Sequence, residues 1–295
     1  MKLRSEKTMP DRNALATQAM TASIAARTKA GLDLFNPICI FALCKTHKVQ
    51  VRFNNINMEG MYQRGTPSRI HLSARRPLPR RAFNCAHELG HHVFGHGSSI
   101  DELREDAKEN PWEDPKEFLA DNFAGFVLMP TLGMRQAFAK RGWKPDSATP
   151  VQIFQIACEF GVGYTTLITH LSQSLNMLSR PRATVLKKHK PAAIRAVLLG
   201  SLSPEPLVIV DNAWSTSVVD AEVGMSVLLP ADCEPDNEAI TVVKNLPEGR
   251  LFEARHPGIV RVIQPNTGWA VFVRIARKQY VGLAEFRHLE EDTDE

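Results

Sequence analysis

The stretch RRAFNCAHELGHH, residues 80–92, decides how the rest of the chain is read. Within it, His87-Glu88-Leu89-Gly90-His91 has the spacing H-E-x-x-H. On a helix, two histidines four residues apart differ by roughly 40° in azimuth and about one turn in height, so both imidazoles reach one ion. Glu88 sits about 100° round from His87. A carboxylate there lies beside the ion and can act as general base on an attacking water without joining the coordination sphere. The segment predicts a helix over 79–94, with Pro79 at its first position and Gly95 and Gly97 closing it. Gly90 costs about 1 kcal/mol relative to Ala inside a helix, which a closely approaching neighbour would explain.

A second pair, His92 and His96, repeats the spacing of four. It projects from the far side of the helix, has no Glu at its second position, and runs into Gly95 and Gly97, so both are read as structural or surface residues. A catalytic zinc takes three protein ligands and keeps one position open. Downstream, Asp114 can cap a helix that Pro115 begins, with Glu117 at its third position. Spacing leaves three readings: Glu117 as third ligand, Glu117 as half of a capping box, or Asp121 as ligand one turn on. Ala120 and Ala124 on that face would let the two helices approach closely.

Outward from these helices, residues 14–43 suggest one or two amphipathic helices broken at Asn36-Pro37. Residues 48–53, 60–64 and 68–72 alternate as short strands, the last two joined at Gly65-Thr66-Pro67. Helical patterns follow over 115–128, 132–141 and 150–178, and Pro130 stops the first of them. Beyond the basic, proline-containing stretch 180–191, short apolar runs at 207–210, 226–229, 240–243 and 269–273 read as strands. The expected fold is α+β: a zincin-like, mostly helical core with a small sheet over 14–130, a helical, helix-turn-helix-like extension over 131–180, and a β-rich C-terminal domain over 191–289. Residues 1–13 and 290–295 are read as charged tails.

The 295 residues, 43% hydrophobic and 23% charged, are ordinary for a globular protein with room for two domains. No apolar run reaches the roughly 18 residues of a membrane helix, and residues 1–12 lack the apolar core of a secretory signal, so a cytoplasmic location is expected. Five scattered cysteines with no C-x-x-C pair are read as free thiols. A net charge of +4, with one basic cluster at Lys187-Lys188-His189-Lys190, is too small to imply nucleic-acid binding. Residues 156–167 have the Ala–Gly–apolar spacing of a helix-turn-helix, yet the second helix would offer Tyr164, Thr165, Thr166, Thr169 and His170, with no basic residue to read a base. It is therefore read as a packed helical pair. His256, His288 and Cys233 stand alone and are read as structural.

Two motifs together resemble the ImmA/IrrE metallopeptidase family. Residues 80–91 resemble its pattern R-x-x-F-T-x-A-H-E-L-G-H, and residues 117–130 its pattern E-x-x-A-[DN]-x-F-A-x-x-[LV]-L-M-P. Glu59-Gly60 and Ile70-His71-Leu72-Ser73 stand where that family has its short sheet, and the resemblance covers about residues 30–180. It implies zinc held by His87, His91 and Glu117, with Glu88 as catalytic base and manganese as an alternative metal in activity. It also implies a protein substrate, a DNA-binding repressor of the XRE type in a stress-response or mobile-element circuit. Asn84 replaces the family's usual Thr and puts one local hydrogen bond in question. Tyr62, His71, Tyr164 and His170 are the candidates for stabilising an oxyanion. The competing classes are a DNA-binding regulator with structural zinc, which would show salt-sensitive duplex binding, and a non-catalytic interaction module on a peptidase fold, which measured turnover would exclude.

Overall fold

The computed structural model describes residues 11–101, 114–202 and 205–289, with the backbone alone for residues 99–101. The first helix, α1 (Arg12–Lys29), begins at an Asp11 cap whose side chain accepts from the Asn13 amide at 2.9 Å. The expected tail is thus already helical from Arg12, while residues 1–10 and 290–295 lie outside the described part. After the break at Asn36-Pro37 comes α2 (Ile40–Thr46), then the strands β1 (Val49–Asn54), β2 (Gly60–Gln63) and β3 (Ser68–Ser73). Alternation in β1 buries Val49, Val51 and Phe53 and turns Gln50 and Arg52 outward, as a strand with one covered face requires.

Helix α3 (Leu78–Phe94) carries the histidines. Pro79 is its second residue rather than its first, and Gly95 closes it in the left-handed conformation at φ 66°. A short strand, β4 (Ser99–Asp101), pairs with β2, and α4 (Pro115–Leu128) then packs against both α1 and α3. Arg27 of α1 is fully buried and donates to three carbonyls, of Asp33, Asn36 and Val127, at 2.6–2.7 Å. That guanidinium ties the end of α4 to α1 and to the loop after it. Helices α5 (Thr131–Ala139), α6 (Pro150–Glu159) and α7 (Tyr164–Gln173) follow, with a 97° bend between the last two.

The basic, proline-containing stretch 180–191 is largely helical. It forms α8 (Arg180–Lys187) and leads into α9 (Pro191–Leu199), each with a proline in its first turn, where a missing N–H costs nothing. Both pack on the helical core through Ala183, Leu186, Ile194 and Leu198. Strands resume only at β5 (Leu207–Ile209) and continue through β6 (Val218–Glu222), β7 (Ser226–Leu229), β8 (Glu234–Pro235), β9 (Ile240–Leu246), β10 (Gly249–Ala254), β11 (Gly258–Gln264), β12 (Trp269–Ala276) and β13 (Gly282–Leu283). Two four-stranded sheets, in the orders β5-β7-β10-β9 and β6-β12-β11-β8, enclose a second core around Val219, Val227, Phe252, Val262 and Val273. The first of these sheets also faces the helical core through Leu207, Ile209, Leu228 and Leu251, which is why Leu207-Val208-Ile209 is apolar throughout.

The chain end returns to the beginning. β13 pairs with β1, so the first sheet has the order β13-β1-β3-β2-β4, and Tyr280 and Ala284 belong to the first core. Buried ion pairs reinforce this joint. Arg81 of α3 meets Glu222 of β6 at 2.5 Å, and Glu159 of α6 binds Lys140, Arg141 and the Ser215 hydroxyl while Arg141 also grips Asp211. All five cysteines are free thiols.

Candidate metal centre

The helix pair α3–α4 builds the site. At their crossing, a Cβ placed on Gly90 would lie 3.0 Å from the Ala120 Cα and 3.3 Å from the Ala120 carbonyl oxygen and the Phe123 ring. Glycine on one helix and alanine on the other permit this approach, and Gly90 offsets its conformational cost by it. The approach carries Glu117, in the first turn of α4 behind the Asp114 cap, to the two imidazoles of α3.

His87 Nε2 and His91 Nε2 are 3.0 Å apart; Glu117 Oε2 is 3.3 Å from the first and Oε1 3.7 Å from the second. One donor atom from each residue falls within 4.8 Å of the others, and these three residues are the one such group found among the described residues. A four-coordinate ion with bonds of about 2.0–2.1 Å separates its donors by roughly 3.3 Å, so the cluster has the dimensions a zinc-sized cation needs. Its two nitrogens and one carboxylate are zinc's preferred donor types. Burial and the neighbouring His87 push His91 down to about 4, which keeps it a neutral electron-pair donor at ordinary pH.

The outward nitrogens are also held. Asp121 Oδ1 lies 2.8 Å from His87 Nδ1; a carboxylate only accepts, so Nδ1 carries the proton and Nε2 presents its lone pair to the cluster. Asp121, which spacing left open as a ligand, therefore stands behind His87, and Glu117 is the carboxylate that clusters with the two imidazoles. His96 Nδ1 lies 3.0 Å from His91 Nδ1, and its ring stacks on Phe94 at 5.5 Å. The left-handed Gly95 turns the chain back so that His96 backs His91, a role the helical projection did not anticipate. His92 does face away, with Nδ1 2.8 Å from the Tyr62 hydroxyl.

Glu88 is completely buried, and its carboxylate lies against Gly60: a Cβ there would come within 2.8 Å of Glu88 Oε1. Strand β2 is pinned in that position from both sides. Asn84 donates to the Glu59 carbonyl at 3.0 Å and to its carboxylate at 2.9 Å, Arg80 grips the same carboxylate with two bonds of 2.8 Å, and Tyr62 meets His92. Asn84, Glu88 and His92 form one stripe of α3 at intervals of four, and β2 lies along it. The residue that departs from the family pattern thus makes a local hydrogen bond of its own.

The four oxyanion candidates are placed elsewhere or otherwise engaged. His71 alternates with the buried Ile70 and Leu72, so it lies on the other face of β3, 3.1 Å from the Asn54 amide nitrogen. The Tyr164 hydroxyl donates to the Leu186 carbonyl at 3.0 Å, and burial pushes it up to about 12. His170 donates from Nε2 to the Met129 carbonyl at 2.9 Å and packs on Gly125, with burial pushing it down to about 4. Tyr62 is bonded to His92. Helix α7 accordingly presents Tyr164, Leu167, Ile168, His170 and Leu171 to the core.

Residues 44–172 match the family model Peptidase_M78, described as the IrrE N-terminal-like domain. The match runs from α2 to α7 and takes in both helices of the metal centre. A search of curated proteins found no match.

Proposed function

From a chain that carries an ImmA/IrrE-family metallopeptidase domain over residues 44–172, we infer a zinc-dependent endopeptidase that cleaves a protein partner. The observation that carries this reading is the convergence of His87, His91 and Glu117, with Glu88 on the turn between the histidines. A zinc ion bound there supplies Lewis-acid polarisation of a scissile carbonyl and makes a water acidic at neutral pH. His87 and His91 bind as neutral imidazoles oriented by Asp121 and His96. Glu88, held in a water-poor position by Gly60, takes the proton of the attacking water and returns it to the leaving amine. Manganese, another divalent cation that nitrogen and carboxylate donors accept, is an alternative in activity assays.

The partner is a DNA-binding repressor of the XRE type in a stress-response or mobile-element circuit, and the reaction takes place in the cytoplasm. Support comes from the family alone for the repressor. For the compartment there is the observation that no single described helix is long and apolar enough to cross a membrane. A DNA-binding regulator is disfavoured because the side of α7 left outside the core carries Thr165, Thr166 and Thr169 and no basic residue. The test is to incubate the zinc-loaded chain with the repressor encoded beside it. Discrete cuts by the wild type, and none by Glu88→Gln at equal zinc content, are expected. Equal cleavage by Glu88→Gln, or no cleavage of the repressor by the fully loaded wild type, overturns the proposal.

A further inference from the structure

Between the helical core and the C-terminal sheets lies a cavity of about 660 Å³ that the metal centre does not use. Its walls are apolar, with Ile38, Phe41, Leu78, Phe154, Phe160 and Trp214 among them. This size and lining, at a junction between two cores, are those of a small-molecule site.

The polar groups on the wall narrow the ligand class. Glu159 is neutralised by Lys140 and Arg141, Asp220 is gripped by Arg274 through bonds of 2.9 and 2.7 Å, and Arg80 is paired with Glu59. Arg195 of α9 is different. It lines the cavity, its Nε is enclosed, and that nitrogen has no hydrogen-bond partner among the described residues. An enclosed guanidinium N–H without an acceptor beside an apolar chamber calls for an anion. We propose that the cavity binds an amphiphilic small acid, an apolar body with one anionic end, with that end on Arg195 and the body along Phe154 and Trp214. The first turn of α3, Leu78 and Pro79, forms part of the wall, so the occupant touches the helix that bears His87 and His91. Binding is independent of the peptidase reading and is measured without any substrate.

Dodecanoate serves as the probe and dodecanol as its neutral counterpart, each titrated below its aggregation limit into the full chain. Calorimetry counts the sites and tryptophan fluorescence locates them. The expected result is one saturable dodecanoate site per chain with a fluorescence change. Arg195→Gln, at a partly exposed position, weakens dodecanoate roughly tenfold to a hundredfold, the range for a hydrogen bond to a charged group, and leaves dodecanol unchanged. Trp214→Phe removes the fluorescence change and keeps the calorimetric site. Absence of saturable dodecanoate binding, equal affinity in a folded Arg195→Gln chain, or an unaltered fluorescence response in Trp214→Phe overturns the proposal.

Discussion

Gly60→Ala isolates the positioning of the base from the holding of the metal. The new Cβ would start 2.8 Å from Glu88 Oε1, 3.1 Å from Cγ and 3.3 Å from Cδ, whereas ordinary contacts begin at 3.4 Å. The carboxylate therefore has to retreat by roughly 0.6 Å, and with Glu88 completely buried it can do so only by rotating about its own side-chain bonds. A misplacement of about 1 Å at a reacting group costs up to about a hundredfold in rate, so turnover should fall roughly tenfold to a hundredfold. The three atoms nearest the new Cβ all belong to Glu88 and none to His87, His91 or Glu117, so zinc content should stay at the wild-type level. Replacing a strand glycine reduces unfolded-chain entropy by up to about 1 kcal/mol, so the melting temperature should hold or rise unless the displaced carboxylate strains its surroundings. The assay is repressor cleavage beside zinc stoichiometry and a thermal melt on the same preparation. Full turnover in Gly60→Ala would refute the placement of Glu88, and loss of zinc together with turnover would refute its separation from the ligands.

Three further outcomes are expected. Asp121→Asn no longer holds His87 as a charged acceptor, and zinc affinity should fall about tenfold to a hundredfold in a competition titration with a chelator. Arg81→Leu strands Glu222 beside α3, and a broken buried pair costs about 3–5 kcal/mol, so the melting temperature should drop by several degrees or more in scanning calorimetry. His170 is held neutral by burial, with its pKa at about 4 against the usual 6.5. Its folded pKa is depressed, so the unfolded chain binds the proton first; stability is complete above about pH 6.5 and declines as the pH falls toward 4. Between pH 7 and 5 that one residue accounts for a loss of about 2 kcal/mol, read as the difference in urea midpoints between wild type and His170→Gln, which keeps a donor for the Met129 carbonyl.

What the sequence made legible was periodic or local. The H-E-x-x-H spacing placed His87, Glu88 and His91 on one helix, Gly90 announced the close approach of α4, and alternation located β1, β2 and β3. Spacing could not choose between Glu117 and Asp121 because both lie on one face a turn apart; only the crossing of α3 and α4 sends the first to the imidazoles and the second behind His87. The approach of His96 to His91 was not legible because the helical projection stops at Gly95, and a left-handed residue redirects the chain in a way no periodicity carries. Helices α8 and α9 were assigned no element from the sequence: each is short, eight and nine residues, and the proline in its first turn marks a helix start as readily as a turn. The union of the two cores through Arg81–Glu222 and β13–β1 joins residues far apart in sequence, and no local pattern signals such pairs.

Anomalous scattering at the zinc absorption edge, from crystals of the zinc-loaded chain, tests the central claim most directly. The expected map has one peak per chain, bonded to His87 Nε2, His91 Nε2 and one oxygen of Glu117 at about 2.0–2.2 Å, with the Glu88 carboxylate beside it and unbound. A peak elsewhere, no peak at full zinc loading, or a peak that takes Glu88 as a ligand while Glu117 turns away would contradict it.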